Sequence, residues 1–145
     1  MLAFNKARAK FYPYNEVYLE APKKAINLPE GAPTKHQYVR LDSYVPNKEI
    51  VSRKYTQLSE VSEETAIRYL KELSDKYAPG TKIADVPSNI SGANAGIFKA
   101  NNGKVLDGQM ILEVPVQKES VRESILKYAR EKKIQIRDIN GNVYK

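Results

Sequence analysis

From residue 38 onward, apolar residues repeat at two different periods, and the order of these periods restricts the fold. Residues 38–45 and 109–116 alternate between apolar and polar side chains, as half-buried strands do. Residues 62–77 and 118–133 instead repeat every three to four positions, which is typical of amphipathic helices. The full order reads ββαββαββ, with several neighbouring strands joined by short turns. This pattern predicts an α+β fold with a mixed or antiparallel sheet rather than a doubly wound parallel one.

Turn and cap residues mark the ends of these elements. Ser62 is a suitable N-cap for the first helix, and Asn140-Gly141 favours a tight hairpin near the C-terminus. Pro46 and Asn47 favour a turn between the strands of the first hairpin. A five-residue turn would pair Asp42 with Lys54 and Tyr44 with Ser52, and it separates polar from apolar positions better than a four-residue turn.

The first 37 residues are the least regular part of the sequence. Pro22, Pro29 and Pro33 interrupt any long element. We therefore expect residues 1–37 to be an irregular arm or linker and residues 38–145 to be the compact domain. Within that domain, residues 88–108 hold four Gly and four Asn, which predicts a long flexible loop.

Composition removes several classes of function. The 145-residue chain has no cysteine and one histidine, His36, so neither a thiolate zinc site nor a pair of catalytic histidines is expected. Gly80-Thr81-Lys82 lacks the upstream glycine of a phosphate-binding loop, and the glycines of residues 92–103 do not fit a dinucleotide fingerprint. The sequence therefore predicts no metal and no cofactor.

Charge points to a polyanionic partner. The chain has 24 basic and 17 acidic residues and a net charge of +7, which favours binding to nucleic acid. No apolar run approaches the roughly 20 residues of a membrane helix, and charges occupy the start where a signal peptide would be apolar. We expect no membrane insertion by this domain.

The first hairpin carries the best remaining candidates for chemistry. Cleavage of RNA by its own 2′-hydroxyl group needs a proton acceptor, positive charge on the phosphorus centre and a proton donor for the leaving oxygen. Carboxylate, guanidinium and ammonium groups can meet these needs. The candidate catalytic residues are Arg40, Asp42, Ser52, Arg53 and Lys54. The candidate nucleic-acid-binding residues are Tyr44, Lys48, Tyr55, Thr56, Lys132, Lys133 and Arg137.

Two simpler interpretations stay open for these residues. Asp42 and a basic partner could be a surface ion pair worth about 0–1 kcal/mol on the wet side of a sheet. Glu113 lies in the otherwise apolar strand pattern of residues 109–116, where a buried carboxylate is costly unless it is paired or used. An exposed edge position would explain Glu113 equally well.

The segments "YVRLDSYVPNKEIVSRKYTQL", "TAIRYLKEL", "YAPGTKIADVPS", "GQMILEVPVQ" and "IQIRDINGNVYK" resemble the C-terminal toxin modules of bacterial polymorphic toxins. Such modules end Rhs-type and contact-dependent-inhibition proteins and some phage head proteins. The resemblance covers about three quarters of the chain. It implies a module of a secreted or phage-delivered protein that acts in the cytoplasm of a target cell and is neutralised by a cognate acidic immunity protein.

The same resemblance implies a nuclease, because many such modules are RNases. One group of them, which includes the colicin D, colicin E5 and RelE-like RNases, combines a helical part with a small antiparallel sheet and often acts without metal, on substrates such as tRNA. The leading expectation is thus a metal-independent ribonuclease. An NAD-consuming or ADP-ribosyl-transferring toxin using Arg40, Ser52 and Glu113 is the first alternative. A non-catalytic module that binds nucleic acid or protein is the second.

Overall fold

The computed structural model describes residues 2–21, 38–100 and 104–145. They form one six-stranded sheet in which the strands lie side by side in chain order. The strands are β1 Tyr14–Glu20, β2 Tyr38–Val45, β3 Glu49–Arg53, β4 Gln109–Val114, β5 Ile134–Asp138 and β6 Val143–Tyr144. The helices are α1 Leu2–Ala9, α2 Glu63–Lys76, α3 Pro87–Ile90, α4 Ile97–Ala100 and α5 Glu123–Glu131, with a 3₁₀ turn at Gly92–Asn94.

The sheet is mixed. β1, β2 and β3 form an antiparallel meander, β4 and β5 run parallel to β3, and β6 returns antiparallel to β5. The predicted α+β class is confirmed. The predicted order ββαββαββ is wrong, because the described residues hold one strand, β4, between α2 and α5 where two were predicted, and Lys82 and Ile83 make only isolated bridges. The antiparallel alternative is wrong because β3, β4 and β5 are parallel.

The N-terminal segment is more regular than its sequence suggests. α1 covers residues 2–9, and β1 pairs along its length with β2, burying Val17 and Leu19 completely. The expectation of an irregular segment is therefore wrong for residues 2–20. The proline-rich part of the predicted linker, residues 22–37, lies outside the described residues, as does His36.

One face of the sheet is covered by α2 and α5, which also contact each other. Ser62 caps α2 by accepting a hydrogen bond from the Thr65 N–H at 3.1 Å, as predicted. The apolar stripes of both helices face the sheet as predicted. The fully buried side chains of this core include Leu41, Tyr44, Ile50, Leu70, Leu73, Leu112, Ile125 and Ile136.

Both predicted hairpins form, but the turn of the first is shorter than predicted and the turn of the second is longer. β2 and β3 are joined by residues 46–48, and Asn47 takes the left-handed conformation (φ 64°) that asparagine tolerates. Tyr44 consequently pairs with Ile50, so the predicted pairing with Ser52 is wrong by two residues. The second hairpin turns through residues 139–141 with Gly141 at φ 86°.

The segment after residue 86 folds against the outer edge of β1. The buried Asn89 side chain accepts from the Tyr18 N–H at 3.2 Å and donates to the Tyr18 and Ala84 carbonyls. The Asn94 side chain binds the Asn15 backbone in the same way: it accepts a hydrogen bond from the Asn15 N–H and donates one to the Asn15 carbonyl. The two side-chain amides thus bind backbone groups at the outer edge of β1, where a further strand would otherwise be needed to pair with them. Residues 87–100 are therefore a helical edge cover rather than the predicted open loop.

We predict that Asn89→Ala lowers the free energy of unfolding by about 1–3 kcal/mol, because it leaves buried backbone groups of β1 without partners. Urea denaturation of the purified protein measures this change. Ser88→Ala, at the exposed neighbouring position, is the matched control and should unfold like the wild type. Equal midpoints for Asn89→Ala and the wild type would contradict this role for the amide.

Among the residues that the structure describes, no helix is long and apolar enough to span a membrane.

Candidate active site

A charged row crosses the sheet at the carboxyl ends of its three parallel strands. Arg53 of β3 pairs with Glu113 of β4, and Glu113 pairs with Arg137 of β5. The neighbours Leu112 and Ile136 belong to the core under α2 and α5, so the three charged side chains point to the opposite face. Carboxyl ends of parallel strands are where open sheets commonly bind ligands. Here α1 and the turn that follows it lie over that face.

Glu113 is the centre of this charged group, and its side chain is fully buried. It accepts hydrogen bonds from Arg53 Nε at 2.8 Å, from Arg8 Nε at 3.0 Å and from the Tyr12 hydroxyl. Burial alone would raise the pKa of Glu113, but the hydrogen bonds from Arg8 and Tyr12 and the charge of Arg53 outweigh it and hold the pKa below its ordinary value. Glu113 is therefore a paired carboxylate.

Arg53 is almost completely buried (1% exposed), and several hydrogen-bond partners hold its side chain. Besides Glu113, its guanidinium donates to Ser43 Oγ at 2.7 Å and to Asn5 Oδ1 at 3.3 Å. Ser43 in turn donates to Asn15 Oδ1 at 2.6 Å. An arginine fixed in this way presents its charge without having to reorganise when a ligand arrives.

Arg137 extends the group toward the start of β3. It makes a bidentate ion pair with Glu49 (2.7 and 3.1 Å) and donates to the Tyr12 hydroxyl at 3.0 Å. The hydrogen bonds from Arg137 to Glu49 raise the pKa of Arg137. Burial, together with the hydrogen bond to Glu113, raises the pKa of the Tyr12 hydroxyl, so Tyr12 stays protonated and bridges the two ion pairs.

A cleft of about 300 Å³ opens beside this group, between α1 and the first three strands. Its lining consists of Asn5, Lys6, Ala9, Asn15, Glu16, Asp42 and Arg53. Asp42 Oδ2 accepts the Arg53 backbone N–H at 2.7 Å. Burial raises the pKa of Asp42 above its ordinary value, although this hydrogen bond and the Arg53 charge partly offset the increase. The cleft thus combines a carboxyl group of raised pKa with a fixed guanidinium and a lysine.

Of the predicted catalytic residues, Asp42 and Arg53 line this cleft. Lys54 directs its ammonium group to Glu72 at 3.4 Å and over the Tyr69 ring. Arg40 is exposed, with its guanidinium 4.0 Å from Glu16.

Ser52 lies at the register position opposite Leu112 and is buried on the core side. The first alternative site does not form as a unit, because Ser52 and Glu113 occupy opposite faces of the sheet and Arg40 is exposed.

The predicted nucleic-acid-binding residues are spread over the molecule. Tyr44 is fully buried, and its hydroxyl accepts the Asp107 N–H at 3.1 Å. The prediction that Tyr44 lies on a polar surface is therefore wrong, because Tyr44 is on the side of the hairpin that α2 and α5 cover. Arg137 belongs to the charged group, whereas Tyr55 is exposed beside α1. The remaining members are the exposed Lys48, Lys132 and Lys133 and the half-buried Thr56.

Sequence reasoning missed the contribution of the N-terminal segment. Asn5, Lys6, Arg8, Tyr12 and Asn15 all reach the charged group or the cleft. The one signal for them was indirect: a carboxylate inside the apolar strand around Glu113 requires donors from some other part of the chain.

Within residues 2–21, 38–100 and 104–145, no group of three or more His, Cys, Asp or Glu side chains is placed to hold a metal ion. Comparisons of the chain with family models, curated proteins and solved structures gave no match.

Proposed function

We propose that this chain is a ribonuclease that cleaves RNA through the 2′-hydroxyl group of its substrate, using the cleft beside Asp42 and Arg53. The observation that carries the proposal is that these two residues line one cleft: the Asp42 carboxyl group has a raised pKa and accepts the Arg53 backbone N–H, while the Arg53 guanidinium is held by Glu113, Ser43 and Asn5. The cleft adjoins the solvent-exposed Lys6, and the net charge of +7 favours a polyanion.

Each requirement of the reaction has a matching group. The Asp42 carboxylate takes the proton of the 2′-hydroxyl as its oxygen bonds to the neighbouring phosphorus. The Arg53 guanidinium stabilises the extra negative charge on the phosphorane oxygens. The bond from phosphorus to the 5′-oxygen then breaks, and Lys6 donates the proton that this oxygen needs. The products are a 2′,3′-cyclic phosphate and a free 5′-hydroxyl, and the chemistry uses no metal ion.

Glu113 supports this reaction as a positioning residue. It fixes Arg53 through Nε, while Ser43 and Asn5 fix the two terminal nitrogens. The reaction needs the arginine where charge develops, and a guanidinium held by three partners keeps its direction when substrate enters.

The resemblance to polymorphic toxin modules supports a biological setting for this activity. In that setting the domain acts on RNA such as tRNA in the cytoplasm of a competing cell. A small acidic immunity protein binds the basic toxin in the producing cell. The charge of the chain fits both partners, because RNA and an acidic protein are each polyanionic.

Incubation of the purified chain with total cellular RNA in EDTA tests the activity. We expect fragmentation of the RNA, and no cleavage of DNA of the same length because DNA lacks the 2′-hydroxyl. Cleavage of both nucleic acids would contradict the 2′-hydroxyl route. If RNA stays intact while expressing cells die and lose NAD, the ribonuclease proposal is wrong and the NAD-consuming alternative replaces it.

A further inference from the structure

Phe4 of α1 and the exposed Tyr55 form an aromatic pair that lies close in sequence to residues of the cleft. Tyr55 is 66% exposed, the largest fraction among the large hydrophobic side chains of the described residues. Its ring lies 5.2 Å from that of Phe4, with an angle of 50° between the planes. Phe4 precedes the cleft residues Asn5 and Lys6 in sequence, and Tyr55 follows the cleft residue Arg53 by two positions.

At 66% exposure, much of the Tyr55 side chain is open to solvent. Phe4 is half-buried and tilted, so it supports Tyr55 from one side without covering the ring as a parallel stack would. Phe11 is exposed to a similar extent (60%), but the guanidinium of Arg8 lies 4.5 Å from its ring centroid and the Lys10 ammonium 5.3 Å. Tyr55 is therefore the better platform for a planar ligand.

We infer that the substrate is single-stranded RNA and that one unpaired base stacks on Tyr55 while the adjoining phosphate enters the cleft. This inference rests on the proposed function, because it assigns the substrate class to the same site. Bases inside a duplex are stacked on each other and offer no free face, whereas unpaired bases stack on aromatic side chains. Lys6, in the lining of the cleft, is a cation that suits a ligand with a phosphate backbone.

Binding of a 2′-O-methyl RNA strand tests the inference separately from cleavage, because this probe has no free 2′-hydroxyl group. Fluorescence anisotropy of a labelled single strand should show Tyr55→Ala binding about 5- to 150-fold more weakly than the wild type, the range for loss of one base–aromatic stack. Tyr55→Phe keeps the ring and should bind like the wild type. Tyr38→Ala, which removes an exposed tyrosine at the start of β2, is the matched control and should also bind like the wild type.

A strand of the same length without bases at its nucleotides identifies the contact. Wild type and Tyr55→Ala should bind this strand equally, since only the base interaction is removed by the substitution. The inference is overturned if Tyr55→Ala binds the intact strand as tightly as the wild type, or loses the same factor with the strand that lacks bases.

The two proposals fail in different ways. If unmodified RNA is cut while Tyr55→Ala binds the intact strand normally, the stacking inference alone is wrong. If the wild type binds the probe through Tyr55 but leaves unmodified RNA intact, ribonuclease activity is wrong and single-strand binding stands.

Discussion

Replacing Glu113 by Gln is expected to lower the free energy of unfolding by about 3–5 kcal/mol, the usual effect of removing one partner from a buried ion pair. The amide keeps the size of the carboxylate but not its charge. Arg53 and Arg8 would then face each other's positive charge across a buried site where Glu113 now pairs with them at 2.8 and 3.0 Å. Urea denaturation at neutral pH measures the loss. Glu119→Gln, at an exposed position, is the control and should change stability little.

The pH dependence of this loss follows from the lowered pKa of Glu113. A carboxyl group whose pKa is lower in the folded state stabilises the fold fully above its unfolded pKa, and that stabilisation disappears as pH falls through the folded pKa. The difference between wild type and Glu113→Gln should therefore be largest near neutral pH and shrink in acid. A difference that does not depend on pH would show that packing, rather than charge, accounts for the loss.

Replacing Asp42 by Asn is expected to lower kcat for RNA cleavage by about 10²- to 10⁴-fold, the contribution of a general base. The Asn side-chain oxygen can still accept the Arg53 N–H that Asp42 accepts at 2.7 Å, so the fold should survive. Because burial raises the pKa of Asp42, the wild-type rate should increase as pH rises through that value, which lies above the ordinary value for aspartate. The cleavage rate of Asp42→Asn should not show this increase with pH, because the asparagine side chain does not ionise.

Asp75→Asn, on the exposed surface of α2, is the matched control for this series and should cleave like the wild type. Steady-state rates over a range of pH, with urea midpoints for each variant, separate loss of catalysis from loss of folding. A folded Asp42→Asn variant with wild-type kcat would remove Asp42 from the reaction.

Sequence reasoning located the elements of this fold that have strong periodicity. The helix after Ser62, the strand around Glu113 and the hairpin around Gly141 were each visible because one face is apolar and the ends carry caps or turn residues. β1 is absent from the predicted element order because Val17 and Leu19 give only a short apolar pattern, which indicates at most a possible short strand and gains its partner through pairing with distant β2. Such pairing is tertiary and leaves little mark on local sequence.

The candidate site could be predicted only in part for a related reason. Asp42 and Arg53 were visible as polar residues of a hairpin, but the alternation did not reveal which side faces solvent. α1 covers the charged side and α2 with α5 cover the other, so both sides of β3 are buried, including Ser52 and Arg53. The donors from Arg8 and Tyr12 lie more than 100 positions from Glu113, and no local pattern connects them to it.

The central claim is that the cleft beside Asp42 and Arg53 cuts RNA through the 2′-hydroxyl group. Mass spectrometry of the fragments made from a short RNA of known sequence in EDTA tests it most directly. The account predicts fragments that end in a 2′,3′-cyclic phosphate and begin with a 5′-hydroxyl, formed by the wild type and not by Asp42→Asn. Fragments that begin with a 5′-phosphate, or an intact RNA, would contradict it.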